Sequence, residues 1–194
     1  MLKFIENTGG GAFIRFSVED NEWLRSSEDG GLEAVDMASA PVLIDIENIQ
    51  QGWLKLAGGR DWIIWPNNDV TQVNGGKQPE GEYKQGFSLK FYSTKLFGDM
   101  PSRELCTSGA GLIKFVQALY EQTIANFDSG SIPAVKITGS TKVKMGKGNS
   151  RIPTFEIVGW KPRPIDLESS AAAADPVVPE TPSAGASDNE NFDV

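Results

Sequence analysis

The hydrophobic pattern changes its period along the chain, and the order of these changes limits the folds available to it. In several short segments apolar residues alternate with polar ones, whereas one longer segment repeats its apolar residues every three to four positions. Alternation predicts β-strands with one buried face, and the longer period predicts an amphipathic helix at 110–127. The strands are predicted at 12–18, 42–46, 52–56, 61–65, 86–93, 133–145 and 152–160. The predicted fold class is therefore mainly β, with one helix before the last strands.

This order of elements is that of the OB-fold, a five-stranded Greek-key β-barrel with one helix between its third and fourth strands. Other β-barrels and α+β folds share the order, so it does not by itself select one topology. The stretch 19–41 is polar and acidic, and 66–82 is polar and rich in Gly and Pro, so we expect both to be loops or insertions. Residues 1–165 are thus predicted to form one OB-like domain.

The charge of the chain is divided unevenly along its length. Residues 166–194 contain seven carboxylates, three prolines, a run of four alanines and neither Lys nor Arg. Such a composition does not bury enough apolar surface to fold, so we expect a disordered acidic C-terminal tail. The segment before it is the reverse, because 131–164 hold seven basic residues against one acid, Glu156. A basic β-rich segment that leads into an acidic tail indicates a polyanion-binding protein.

The predicted strands place lysines and aromatic residues on one face. In the fifth predicted strand, Phe87, Leu89 and Phe91 share one side, while Lys90 and Tyr92 share the other. Three other strand segments repeat this arrangement, with apolar residues predicted inward and Lys predicted outward. Such a face suits a single nucleic-acid strand, because ammonium groups neutralise phosphates while bases stack on aromatic rings.

The residues predicted to contact this strand combine the Lys-bearing face with the basic turn that joins the last two strands. They are Trp53, Lys55, Lys90, Tyr92, Lys136, Lys142, Lys144, Lys147 and Arg151. The predicted helix contains one cation, Lys114, and so lacks the side chains of a helix that reads the major groove of a duplex. Single-stranded DNA is the expected ligand, with RNA as the alternative.

The scarcity of two residue types excludes several kinds of chemistry. The chain has one cysteine, Cys106, and no histidine. An internal disulfide, a Cys/His zinc site and a Ser-His-Asp triad are therefore all excluded. The sequence also lacks a long apolar run and a signal-peptide pattern. We expect a cytoplasmic protein that is not an enzyme, needs no cofactor and has no membrane partner.

With these features assembled, the chain resembles the single-stranded-DNA-binding proteins of bacteriophages and bacteria. The resemblance implies sequence-tolerant binding of DNA during replication, recombination and repair, and a phage-infected cell as the location. It also implies that the acidic tip binds replication or recombination proteins and competes for the DNA groove. In this sequence the tip is formed by Asp188, Glu190, Phe192 and Asp193. Tails of that family commonly end on Phe, whereas Asp193 and Val194 follow Phe192 here. A homo-oligomer is compatible with the sequence.

Two other functions fit parts of the sequence. A phage structural protein or a host-inhibitory interaction protein would use the β-scaffold and the acidic segments without binding nucleic acid. A magnesium-dependent nuclease would need carboxylates that share one face, such as Asp45 with Glu47 or Asp20 with Glu22. The basic segment argues against the first alternative, and an acidic solvent-exposed edge explains the carboxylates without a metal.

Overall fold

The structure is a computed structural model that describes residues 11–65, 75–127, 129–146 and 148–168. Its helices are α1 (Thr94–Phe97), α2 (Ala110–Thr123) and α3 (Ile165–Glu168), and 3-10 turns occupy Ile46–Asn48 and Ile124–Asn126. Its strands are β1 (Ile14–Ser17), β2 (Glu22–Ser26), β3 (Leu32–Val35), β4 (Val42–Ile44), β5 (Gln50–Lys55), β6 (Asp61–Ile64), β7 (Lys84–Tyr92), β8 (Ser102–Thr107), β9 (Ser131–Met145) and β10 (Gly148–Pro162). Of the predicted site residues, Lys147 and the tail residues Asp188, Glu190, Phe192 and Asp193 lie outside the described ranges.

The strands form two antiparallel sheets. Seven strands make the larger sheet in the order β10-β9-β4-β7-β5-β6, with β8 on the remaining edge of β7. The smaller sheet, β1-β2-β3, meets β8 through a parallel bridge between Phe13 and Glu104. Among the described residues no ladder joins β6 or β8 to β10. The mainly β class is confirmed, but the sheets are open and do not close into the predicted five-stranded barrel.

Two parts of the sequence contain strands that the pattern did not reveal. The stretch 19–41, predicted as a loop or insertion, contains β2 and β3. Its Trp23 is buried, with its ring 5.1 Å from that of Phe16 and 5.9 Å from that of Phe91. In β8 a buried arginine, Arg103, occupies an inward position and donates to the backbone of Ser26. Charged residues in these strands interrupt the alternation from which a strand is predicted.

The predicted helix is confirmed, and it covers the inner face of the large sheet. Leu112, Phe115, Val116 and Leu119 of α2 join the same hydrophobic core as the apolar residues of β7. The ring of Phe115 meets that of Phe155 on β10 edge to face, with 5.3 Å between their centres. These apolar side chains share one side of the helix and pack against the sheet, so α2 acts as a scaffold that holds β10 in place.

The chain is held close to the larger sheet after β10 ends. The Arg163 guanidinium lies 3.0 Å from a carboxylate oxygen of Asp45 and 2.6 Å from one of Glu47. Asn48 also donates to both oxygens of Asp45, which is 2% exposed. The helix α3 follows, and its Leu167 is buried. Packed structure therefore continues beyond position 165, where the acidic tail was predicted to begin.

Candidate nucleic-acid interface

Cross-strand partners in an antiparallel ladder point to the same side of a sheet, so the register assigns each side chain to a face. On β7, Phe87, Leu89 and Phe91 belong to the buried core, as predicted. Lys90 and Tyr92 point to the opposite side, which we call the outer face. The outer face includes Leu43, Ser88, Lys90, Tyr92, Ser102, Glu104, Cys106, Ala134, Lys136 and Glu156.

Three of the predicted site residues, Lys90, Tyr92 and Lys136, come together on the outer face. Tyr92 is the cross-strand partner of Leu43, and Leu43 is the partner of Ala134. Lys136 is two residues beyond Ala134, and residues two apart on a strand share a face. The ion pairs between described residues involve neither Lys90 nor Lys136. Lys90 stands opposite Glu104 and Lys136 stands opposite Glu156, but no described ion pair holds either ammonium group, so both can still reach a phosphate.

An extra residue in β9 places the next cations on the other side. Thr154 pairs with Gly139 and Phe155 pairs with Ile137, which leaves Thr138 without a cross-strand partner. This is a β-bulge, and it reverses the alternation of side chains along the strand. The predicted cations beyond it lie on the side opposite the outer face, and they are Lys142, Lys144 and Arg151. The predicted Lys-bearing face is thus divided in two by one residue.

Beyond the bulge, residues 139–145 and 148–154 pair with each other and with no other described strand, and we call this pair of segments the basic arm. Lys142 stands directly opposite Arg151 in its ladder. The Arg151 guanidinium donates to the Ser140 hydroxyl at 3.3 Å, and that hydroxyl donates to Asn21 in the β1–β2 turn. Glu19 of the same turn and both cations line a cleft between the turn and the arm. The arm therefore presents clustered positive charge that no described ion pair neutralises.

Trp53 and Lys55 lie apart from both groups. Trp53 pairs with Gln85, so its indole is on the core side of the sheet and not on the outer face. The indole N–H donates to the carbonyl of Gly75 at 2.8 Å, and the Lys55 ammonium lies 5.7 Å from the centre of the Tyr83 ring. The prediction that Trp53 and Lys55 share an outward face with Lys90 is wrong, because the register of β5 turns them to the other side.

Sequence analysis did not identify a pair of charged residues at the outer face, Arg60 and Glu104. Both terminal nitrogens of the Arg60 guanidinium lie 2.7 Å from the Glu104 carboxylate, which also accepts a hydrogen bond from Ser88. Burial acts to raise the pKa of Glu104, but the hydrogen bonds from Arg60 and Ser88 outweigh it and hold that pKa below its usual range. Burial also raises the pKa of the neighbouring Cys106 thiol to about 11. No sequence pattern connects a turn residue with a strand position 44 residues away.

The carboxylate pairs considered for a metal are used otherwise. Asp45 directly precedes the 3-10 turn after β4, and Glu47 lies within that turn, so the two are not neighbours on one face of a strand. Both form ion pairs with Arg163. Asp20 lies in the β1–β2 turn and accepts a hydrogen bond from Ser17. Within the described ranges, no three His, Cys, Asp or Glu side chains are grouped so that they could hold a metal ion.

The comparisons with known proteins found no match, so a functional proposal has to be based on the geometry of the site. No protein-family model, no curated protein and no solved structure matches the chain. The longest described helix, α2, has 14 residues, and none of the helices in the described ranges is long and apolar enough to cross a membrane. The positions of the cations and aromatic rings are therefore the basis for a functional proposal.

Proposed function

We propose that the protein binds single-stranded nucleic acid, DNA in the first place, largely without regard to sequence. The observation that carries this proposal is the basic arm, where Lys142 faces Arg151 and Lys144 projects from the same side. Like charges directly opposite each other destabilise a β-ladder, so a partner that neutralises them would stabilise this one. A phosphate backbone is such a partner.

The geometry favours a single strand over a duplex. Lys90, Tyr92 and Lys136 are on the outer face, while the cations of the basic arm are on the other side of β9. A ligand that contacts both groups has to bend around the arm near the bulge. Single strands bend freely over a few nucleotides, whereas duplex DNA is stiff over about 150 base pairs. On the outer face, the Tyr92 ring offers a surface for base stacking between the two lysines.

The arrangement of strands supports an OB-like domain, although its sheets are open. The 3-10 turn Ile46–Asn48 connects β4 to β5, and both strands run along the same edge of β7. Together they act as one bent strand that pairs with β9 in its first half and with β6 in its second. OB-folds place nucleic acid on the outer surface of such a curved sheet and between its hairpin loops. The basic arm and the β5–β6 hairpin would be those loops.

The acidic sequence 166–194 completes the proposal. The five carboxylates that follow α3 in the sequence would compete with nucleic acid for the basic arm, most strongly at low salt. We propose Asp188, Glu190, Phe192 and Asp193 as the part that binds replication or recombination proteins. The role would be to protect single strands during replication, recombination or repair and to bring those partners to them.

Fluorescence anisotropy of a labelled dT oligonucleotide of about 30 nucleotides, titrated at several salt concentrations beside the matching duplex, tests the proposal. We expect preference for the single strand and a slope of log K against log salt near −3, since about four phosphate contacts contribute about −0.7 each. The Lys142→Gln/Arg151→Gln double variant should make that slope less steep by about 1.4, because two phosphate contacts are lost. Lys114→Gln, on the scaffold helix, is the control. Absence of binding by the full chain at low salt would remove the proposal and favour an interaction protein.

A further inference from the structure

The turn between β5 and β6 carries an arginine that reaches back onto the outer face. Arg60 follows Gly58 and Gly59, whose φ angles of +79° and +117° favour glycine. Both terminal nitrogens of its guanidinium bind Glu104 on β8 at 2.7 Å. Because Glu104 is the cross-strand partner of Lys90, the guanidinium of Arg60 lies on the outer face beside that lysine.

The ion pair leaves Arg60 able to bind a second anion. A guanidinium has five N–H donors, and the Glu104 carboxylate takes two of them. The other three meet no carboxylate or carbonyl oxygen of the described residues, although the Cys106 side chain lies within hydrogen-bonding reach of the guanidinium, and the Arg60 side chain is 38% exposed. They include the N–H of Nε and a second N–H of a terminal nitrogen, which together form the fork that fits a phosphate.

Glu104 is itself held in place, so it can fix the direction of Arg60. Its carboxylate accepts from the Ser88 hydroxyl, and its backbone N–H donates to the carbonyl of Ala12 at 3.0 Å. Its side chain is 19% exposed, whereas the side chain of Arg60 is more open to solvent. The negative charge of Glu104 is balanced by Arg60 and by the neighbouring Lys90.

We propose that Arg60 is a phosphate-binding residue of the nucleic-acid site and that Glu104 is the positioning residue that aims it. This inference rests on the proposed function. A phosphate of the strand binds the free fork of Arg60, while Glu104 keeps the opposite edge of the guanidinium. Arg60 comes from the β5–β6 turn and Lys90 from the sheet, so the strand is held from two directions.

The test is the same anisotropy titration with dT of about 30 nucleotides, using Arg60→Gln, Arg60→Lys, Glu104→Gln and the control Lys114→Gln. Arg60→Gln should weaken binding about tenfold at low salt and reduce the salt slope by about 0.7, the value for one phosphate contact. Arg60→Lys keeps the charge and should preserve the slope, but it should weaken binding about threefold because the fork is lost. Glu104→Gln should weaken binding two- to fivefold even though it removes a negative charge.

The outcomes separate this inference from the proposed function. If the unmodified protein does not bind dT, the proposed function fails. If it binds and Arg60→Gln binds equally well with the same salt slope, the role of Arg60 is overturned while the proposed function stands. If Glu104→Gln binds more tightly, Glu104 competes with phosphate and does not position Arg60. Thermal unfolding of each variant confirms that it is folded at the temperature of the titration.

Discussion

Lys142 and Arg151 are directly opposite each other in the β9–β10 ladder, and no described carboxylate forms an ion pair with either. Two positive side chains in this position repel each other across the strands and destabilise the hairpin. A fold that needed only a stable hairpin would place opposite charges or neutral residues here. Under the proposed function a negatively charged ligand neutralises this pair, so the same two charges would weaken the hairpin and strengthen binding.

Lys142→Gln should make the protein more stable and a weaker binder. Removing one of two opposed charges is expected to stabilise the fold by about 0.2–1 kcal/mol, while one phosphate contact is lost. Urea unfolding and anisotropy with the dT oligonucleotide measure the two effects. Lys144→Gln is the matched control, because Lys144 stands opposite the neutral Asn149, so its removal should weaken binding without stabilising the fold. A less stable Lys142→Gln protein would contradict this explanation.

Gly111→Ala should destabilise the protein, against the usual effect of this exchange. In a helix, Gly to Ala normally stabilises by up to about 1 kcal/mol. Here a Cβ at Gly111 would overlap the carbonyl oxygen of Arg151, so α2 and β10 have to move apart. We expect a loss of about 1–3 kcal/mol in urea unfolding. Gly148→Ala is the control, since the nearest atom to its Cβ is 4.0 Å away, and equal effects of both exchanges would rule out the contact as the cause.

Arg163→Met should lower the free energy of unfolding by about 3 kcal/mol, because it leaves the buried Asp45 carboxylate without its charged partner. The same change leaves Glu47 without this ion pair. Urea unfolding measures the loss, and Lys161→Gln, an exposed cation on β10, is the control with an expected effect within about 0.5 kcal/mol. A loss below 1 kcal/mol for Arg163→Met would show that the ion pairs contribute little to holding the chain after β10.

Glu104 should make the protein sensitive to acid. Its pKa is lower in the folded state than the ordinary value of 4.5, so the unfolded state binds more protons between the two values. The stabilisation is present above about pH 4.5 and is lost as pH falls through the folded pKa. Thermal unfolding between pH 7 and pH 3 measures it, and Glu104→Gln should lose less stability over the acid range than the unmodified protein. Parallel curves for the two proteins would contradict the assignment.

The sequence predicted the strand-rich class and the helix because those segments keep a regular period. It did not predict β8, where the buried Arg103 replaces an apolar residue, or β2 and β3, where charges border the buried Trp23. The charge pattern predicted which residues are candidates for the site, but it did not predict on which side of the sheet each side chain lies. One extra residue at Thr138 reverses the side on which every later residue of β9 points, and only the pairing with β10 reveals it. Pairing between distant residues, such as Arg60 with Glu104, has no signature in the local pattern.

The reactivity of the Cys106 thiol reports how well the outer face is shielded from solvent around Arg60 and Glu104. Burial raises the pKa of its thiol from 9.0 to about 11, although Arg60 acts in the opposite direction. At pH 8 the reactive thiolate is then roughly 100-fold scarcer than for a free cysteine of pKa 9, and modification by a thiol reagent should be slower, although by less than 100-fold because a thiolate of higher pKa is the stronger nucleophile. The rate should rise about tenfold per pH unit from 7 to 9.5 without reaching a plateau. Unfolding in urea should restore the ordinary rate. A plateau near pH 9 in the folded protein would show that the thiol is open to water, and the packing of Arg60 and Glu104 around it would then have to be looser than described.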